Sequence, residues 1–282
     1  MKTQLEEKIR QFILENRANW SEELHARYFD APVIKYASAD DPLFEQYKTI
    51  IGSGHLTPRE FFELEFGSGS YRGGTVISIV LPIGEELRKS NRPQTSAPSK
   101  AWALFNMESA SIVQALADDV TAYLSELNYR TICPVKNSGF YKVAGFVSNW
   151  SERHIAYAAG QGAFGINEGL ITERGIAVRF VSLITELPLA PDIRTAKEYT
   201  EYCLFLSKGT CGACMKRCPA NAVSPDGHDK LKCWNTAYGE KSRQLAQSYG
   251  GDGKQVAGCA LCQTSVPCEY RIPTALNISS IH

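Results

Sequence analysis

Three things are scarce in this sequence: net charge, long apolar runs, and cysteine before residue 203. Lys plus Arg number 30 and Asp plus Glu number 30, so the formal net charge is zero. A neutral chain gives no electrostatic reason to expect a nucleic-acid or anionic-membrane partner. No stretch reaches the roughly 20 apolar residues of a membrane span. The opening stretch MKTQLEEKIRQFILENRANW carries Glu6, Glu7, Lys8 and Arg10 where a secretory signal needs an unbroken apolar run. Leu5, Ile9, Phe12 and Ile13 fall instead at helical spacing, which predicts an amphipathic helix. The expected location is the cytoplasm, with no membrane partner, and there thiols stay reduced.

What is present is a globular chain. Its 282 residues suffice for one large domain or two ordinary ones, and 44% hydrophobic content suffices for a core. APVIKYAS and TVISIVLPI read as strands rich in β-branched residues, and GIAVRFVSLITEL as a longer one. In ESASIVQALADDVTAYLSEL, residues Ile112, Val113, Leu116, Val120, Tyr123, Leu124 and Leu127 form one helical stripe. YRTICPV reads as a short strand. SERHIAYAAG reads as a helix with Ser151 at its N-cap and Gly160 at its stop. These elements predict an α/β or α+β domain around a central sheet. FGSGSYRGG (66–74) and SNRPQTSAPS (90–99) read as irregular connections.

Cysteine changes the picture after residue 195. Cys133 stands alone, whereas the other eight cysteines lie within residues 203–268. With two prolines in ELPLAPDIR, this shift sets a domain boundary: 1–195 and 196–282. Zinc would take four of these cysteines, as in the CxxC pairs Cys211/Cys214 and Cys259/Cys262, and leave four unexplained. Two [4Fe–4S] clusters would use all eight, one thiolate per iron. Cys218-Pro219 matches the Cys-Pro that ends each run in two-cluster ferredoxins, where the last cysteine ligates the other cluster. Since proline suits a first helical turn, Pro219 is expected to open a helix and turn Cys218 away from the preceding loop. The inferred sets are Cys203, Cys211, Cys214 and Cys268 on one cluster, and Cys218, Cys233, Cys259 and Cys262 on the other. Two departures from the ferredoxin spacing stand out. Lys208 occupies the position of a first cysteine, so Cys203 must stand in, and Cys262 and Cys268 are spaced too widely.

The stretches CGACMKRCPANAV, HDKLKCW and GCALCQTSVPCEYRIP resemble the ferredoxin portion of the epoxyqueuosine reductase-like proteins. NWSERHIAYAAGQGAFGINEGLITERGIAVRFVSLITELPL resembles the segment before it, so the likeness covers about residues 149–273. That family is related to the corrinoid-dependent reductive dehalogenases. The resemblance implies a nitroreductase-like N-terminal domain that cradles a base-off corrinoid (cobalamin). It implies a C-terminal two-cluster ferredoxin-like domain that feeds electrons to the cobalt. It also implies Gly160, Gly162, Phe164 and Gly165 near the corrinoid, and a low-potential electron donor such as a ferredoxin or flavodoxin. The family's acidic proton donor falls on Phe146, in VAGFVSNW, which has no carboxylate. Epoxyqueuosine-tRNA is therefore not the expected substrate, and Tyr141 is the nearby hydroxyl that could donate a proton.

Other residues read as structural. GQGAFG (160–165) matches the dinucleotide fingerprint, but it follows a helix rather than a strand. His154 reads as a surface or hydrogen-bonded helix histidine, His228 as a loop residue, and Tyr141 as half-buried if it is not a proton donor. His55 precedes a helix start with Thr57 as N-cap and Pro58 at the first position. Cys133 and Trp102 read as core. The expected function is an iron–sulfur oxidoreductase acting on a small, unidentified substrate. Two alternatives stay open: an electron carrier or corrinoid-reducing activase without its own substrate, and a zinc-bound structural protein.

Overall fold

A computed structural model describes residues 1–143 and 146–275. Helix α1 (Lys2–Glu15) buries Leu5, Ile9 and Ile13, the expected stripe. A ribbon of β1 (Trp20–Ser21) and β2 (Ala26–Arg27) leads into a four-stranded antiparallel sheet. The sheet runs in the order β3 (Val33–Ser38), β4 (Thr75–Pro82), β10 (Val178–Thr185), β5 (Thr131–Ile132). Thr185 pairs with Thr75 and Val178 with Pro82, so β4 and β10 match over their whole length. All eight residues of β4 are buried because both of its faces are covered, and only Thr75 and Ser78 interrupt its mostly apolar sequence.

One face carries α1 and the 27-residue α5 (Lys100–Glu126), packed on Ile77, Ile79, Leu81, Val181 and Leu183. The other carries α2 (Leu43–Ile50), α3 (Pro58–Phe66) and α6 (Glu152–Ala158), packed on Val76 and Ile184. Side chains on a strand alternate faces, so β10 supplies both cores. Thr57 caps α3 with a full capping box and Pro58 opens it, as its sequence predicts. Helix α4 (Glu85–Asn91) leads into the 90–99 connection. The hairpins β6/β7 (Lys142–Val143 with Val147–Ser148) and β8/β9 (Gly162–Phe164 with Leu170–Thr172) flank α6. Among the described residues no helix is long and apolar enough to cross a membrane.

The cysteine-rich part holds α7 (Leu204–Lys208), α8 (Ala213–Arg217), the ribbon β11 (Val223–Ser224) and β12 (Gly227–His228), α9 (Lys230–Tyr238) and α10 (Glu240–Ser248). It is stitched to the sheet beside its last cysteine. Ile176 N–H donates to Cys268 O at 2.8 Å and Ala177 N–H to Glu269 O at 3.1 Å. Glu269, 2% exposed, accepts from Arg88 at 2.8 Å and from Arg92 at 2.7 Å. Gly175 (φ +80) lets the two backbones touch, because a Cβ there would stand 2.3 Å from Tyr270 N.

Candidate metal centre

The first four cysteines meet because α7 is short. Cys203 sits at its N-terminal cap, and after five helical residues Gly209 takes a left-handed conformation (φ +66) that reverses the chain. Cys203 thereby faces Cys211 and Cys214, although the ferredoxin position at Lys208 is empty of sulfur. Cys268 arrives from the far end of the chain. Cys203, Cys211, Cys214 and Cys268 line one pocket, together with Gly165 and Asn167. Burial pushes the Cys214 thiol up to about 12, reinforced by Cys203 and Cys211. Burial also raises the Cys268 thiol well above its ordinary value, reinforced by Cys214, Cys203 and Cys211.

The second four approach from α8, α9 and the 259–262 turn. Pro219 does not open a helix, contrary to expectation. Cys218 is the C-terminal cap of α8 with extended backbone (φ −78, ψ 111), and the ordered segment after Pro219 is a turn and the β11 strand. The reason is steric, since proline disfavours helical backbone in the residue before it. Pro219 therefore ends α8 at Cys218. Ala222 N–H donates to the Cys218 sulfur at 3.2 Å. Burial raises Cys259 to about 11, with Cys233 and Cys218 adding to it and the Leu261 N–H and Arg217 opposing. Burial also raises Cys262, together with Cys259, Cys233 and Cys214, while Asn167 opposes. The Cys259/Cys262 pair thus lies near Cys218 and Cys233, and Cys262 also approaches Cys214 of the other pair.

These features fit a polynuclear cationic group held by thiolates. Buried sulfurs resist ionisation until a cation compensates them. Cys211, Ala260 and Ser265 adopt left-handed backbone (φ +85, +57 and +56) within the cysteine loops. Such conformations cost energy for non-glycine residues and cluster at binding sites. All nine cysteines are free thiols. Among the described residues, no three His, Cys, Asp or Glu side chains form a group that could hold a metal ion as they stand. A tetrahedral zinc site needs sulfurs about 3.8 Å apart, from Zn–S bonds of about 2.3 Å. A four-iron cube takes one thiolate at each corner and spaces them more widely.

The residues expected near a corrinoid have other company. Gly160 (φ +77) lies one residue beyond the C-terminal cap Ala159, and a Cβ there would stand 2.9 Å from Ile193 O. A Cβ on Gly162 would meet Ile171 O at 2.1 Å. Phe164 stacks on Tyr199 with ring centroids 4.4 Å apart. Gly165 alone of the four lines the cysteine pocket. Tyr141 is exposed rather than half-buried, and its hydroxyl donates to Gly54 O at 3.3 Å. Phe146 packs edge-on against Trp234 of α9 at 6.4 Å; Ala144 and Gly145, in the same carboxylate-free stretch, lie outside the described residues.

Ser151 occupies the α6 cap position, but its hydroxyl pairs with His154 Nδ1 at 2.7 Å instead of the helix backbone. Tyr199 holds His154 Nε2 at 2.7 Å, and burial lowers the ring to about 3, so it is neutral. His55 is buried and accepts from Ser151 N–H at 3.2 Å. Cys133 and Trp102 are core residues. His228 is not a simple loop residue: it lies in β12, its Nδ1 is 3.3 Å from Glu168, and it contacts Cys233. Sequence reasoning missed Asn167, Glu168 and Glu269. Their one sequence signal was position, within GINEG and immediately after Cys268.

Comparison with known proteins agrees with the resemblance. The chain is 32% identical over 114 residues to an epoxyqueuosine reductase of Leadbetterella byssophila, and 31% over 119 residues to one of Cyclobacterium marinum. Those matches take in 40% and 41% of this chain but 35% and 36% of the relatives. The chain is related to the epoxyqueuosine reductases. The fold carries the likeness further. The Bacillus subtilis epoxyqueuosine reductase superposes on 97% of this chain and 68% of its own, with TM-score 0.53 and 18% identity. An epoxyqueuosine reductase bound to a modified tRNA stem loop covers 95% of this chain and 65% of its own, with TM-score 0.55 and 19% identity. A reductive dehalogenase bound to 3-bromo-4-hydroxybenzoic acid covers 88% and 32%, with TM-score 0.54 and 12% identity. No protein-family model matches the chain.

Proposed function

We propose that this chain is an iron–sulfur oxidoreductase. Two [4Fe–4S] clusters would be held in the 196–282 part, and a corrinoid-class cofactor in a nitroreductase-like 1–195 part. One observation carries the reading: Cys203, Cys211, Cys214 and Cys268 line one pocket, while Cys259 lies near Cys233 and Cys218, and Cys262 near Cys259, Cys233 and also Cys214 of the first set. Cys203, Cys211, Cys214 and Cys268 would hold one cluster, and Cys218, Cys233, Cys259 and Cys262 the other. Bound there, the clusters would supply one-electron relay at potentials set by hydrogen bonds and burial. The protein's own part is to keep the thiolates dry, to neutralise them with N–H donors such as that of Ala222, and to hold Arg217 beside Cys259 and Cys262.

Electrons would come from a ferredoxin- or flavodoxin-like donor. The corrinoid assignment leans on family likeness alone. Gly160, Gly162 and Phe164 are engaged by the chain itself, so a corrinoid would be seated by other residues of the 1–195 part. The substrate would be a small molecule other than epoxyqueuosine-tRNA. Phe146 cannot donate a proton, and it packs against Trp234. That same contact favours a second reading, an electron carrier or activase with no substrate of its own.

Anaerobic purification tests both. The protein should be brown and carry about eight irons per chain, four per cube. A colourless protein with stoichiometric zinc refutes the iron–sulfur reading. Spectroscopic titration with cobalamin then separates the two redox readings, since an unchanged corrinoid spectrum leaves the carrier.

A further inference from the structure

Of the eight C-terminal cysteines, Cys211 alone is exposed; Cys203 is buried and the other six are intermediate. Cys211 lies on the short connection between α7 and α8, and that connection is tied at both ends. Thr210 N–H returns to Leu204 O at 3.1 Å, and Lys216 N–H reaches back to Gly212 O at 3.5 Å. The surface beside it is basic. Residues 202–225 contain Lys208, Lys216 and Arg217 and no Asp or Glu. Arg217 is spent inside the fold, on Leu261 O at 3.3 Å, Thr264 O at 3.1 Å and Gln94 O at 2.7 Å. Lys208 and Lys216 are exposed, and among the described residues neither pairs with a carboxylate. Leu206, 41% exposed, adds an apolar side chain to the same α7. The other group of cysteines has no such edge. Cys233 follows Lys230 and Lys232 on α9, but Lys230 lies 3.4 Å from Glu168 and Lys232 3.4 Å from Asp229.

We propose that the surface around Cys211 is the port at which an acidic one-electron carrier protein docks and delivers its electron. The inference rests on the two-cluster reading above. Each transfer oxidises the carrier by one electron and reduces the cube of Cys203, Cys211, Cys214 and Cys268 by one, with no bond made or broken. Two unpaired lysines beside an exposed ligand attract a negative carrier and orient it over that ligand. A basic carrier would meet the same lysines as repulsion, so the sign of the surface fixes the sign of the partner. Electron-transfer encounters bury little surface, and two charges beside one apolar side chain suit such a short-lived complex. The cube of Cys218, Cys233, Cys259 and Cys262 is then second in the relay.

The test is stopped-flow reduction of the anaerobically purified full chain by an acidic flavodoxin in its hydroquinone form, followed as bleaching of the cluster absorbance. Wild type is compared with the double variant Lys208→Glu/Lys216→Glu and with Lys232→Glu, after iron content is measured for each. Wild type should be reduced faster at about 10 mM salt than at about 500 mM, where screening removes the attraction. The double variant should be at least about 10-fold slower at low salt and match wild type at high salt. Lys232→Glu should stay within about 2-fold of wild type, because its lysine is already paired. Methyl viologen radical, a small cation that needs no docking, should reduce the double variant no more slowly than wild type. An iron-replete double variant that flavodoxin reduces as fast as wild type overturns the proposal and leaves the two-cluster reading intact. Slowing by Lys232→Glu alone places entry at the other group and also overturns it. Wild type without cubes overturns both readings. If the double variant fails to load iron, the salt dependence of wild type decides: a fall in rate with salt supports the port, and a flat rate refutes it.

Discussion

Replacing Glu269 by glutamine should destabilise the whole chain, and the geometry says by how much. The Glu269 carboxylate is 2% exposed and immediately follows Cys268. It accepts from Arg88 Nη1 at 2.8 Å, from Arg92 Nη2 at 2.7 Å and from Ser265 N–H at 2.7 Å. The Arg88 side chain is 9% exposed, so its charge has no water to fall back on, whereas Arg92, at 34%, can rehydrate. The loss is therefore dominated by Arg88, left buried and unpaired, at about 3–5 kcal/mol. For a chain of this size that is a fall in melting temperature of roughly 6–10 °C, at about 2 °C per kcal/mol. Burial by itself would raise the Glu269 carboxyl, but Arg92, Ser265 N–H and Arg88 together hold it below its ordinary value. A depressed carboxyl contributes stability above its unfolded pKa and loses it as pH falls through the folded one. Wild type should therefore approach Glu269→Gln as pH drops below about 4. Urea unfolding followed by tryptophan fluorescence measures both effects. A variant within about 1 kcal/mol of wild type at neutral pH would show that Arg88 finds another partner, and the argument fails.

Three more outcomes follow from the same geometry. Gly175→Ala puts a Cβ 2.3 Å from Tyr270 N in left-handed backbone, so at least about 1–3 kcal/mol should be lost, read by the same titration. A near-neutral result means the 175–177 and 268–270 segments separate easily. Burial raises the Glu152 carboxyl to about 7, and its Oε1 has no hydrogen-bond partner. Its unfolded form ionises first, so this one carboxyl withdraws stability as pH rises from about 4.5 to 7, against the opposite contribution of the buried His154 and His55. Glu152→Gln should lack that decline, and parallel pH profiles of the two proteins would contradict it. Thr57→Ala removes the α3 capping box and should cost about 1 kcal/mol, measured as a shift in urea midpoint.

The regular elements were legible because their signals are local. The stripe of α1, the apolar run of β4 and the Thr57-Pro58 start each span a few residues, and burial followed the spacing. Pro219 misled because proline suits a helix start yet also ends the helix before it. Only the backbone at Cys218 distinguishes those cases. Tyr141 misled because exposure depends on what covers a loop, and spacing does not record that. The Ser151 hydroxyl was drawn from its cap by His154, a ring held in place by Tyr199, 45 residues away.

The cysteine inventory was determined by sequence alone: eight thiols near the C-terminus, a Cys-Pro, and a missing cysteine at Lys208. The likeness to epoxyqueuosine reductases rested on those same residues. Tertiary structure decided what surrounds them. Asn167 meets Cys262 across 95 positions, and Arg92 meets Glu269 across 177. No local pattern encodes such distances. They exist because β10 and the β8–β9 turn bring the sheet against the cysteine loops, where burial favours polar groups that find a partner.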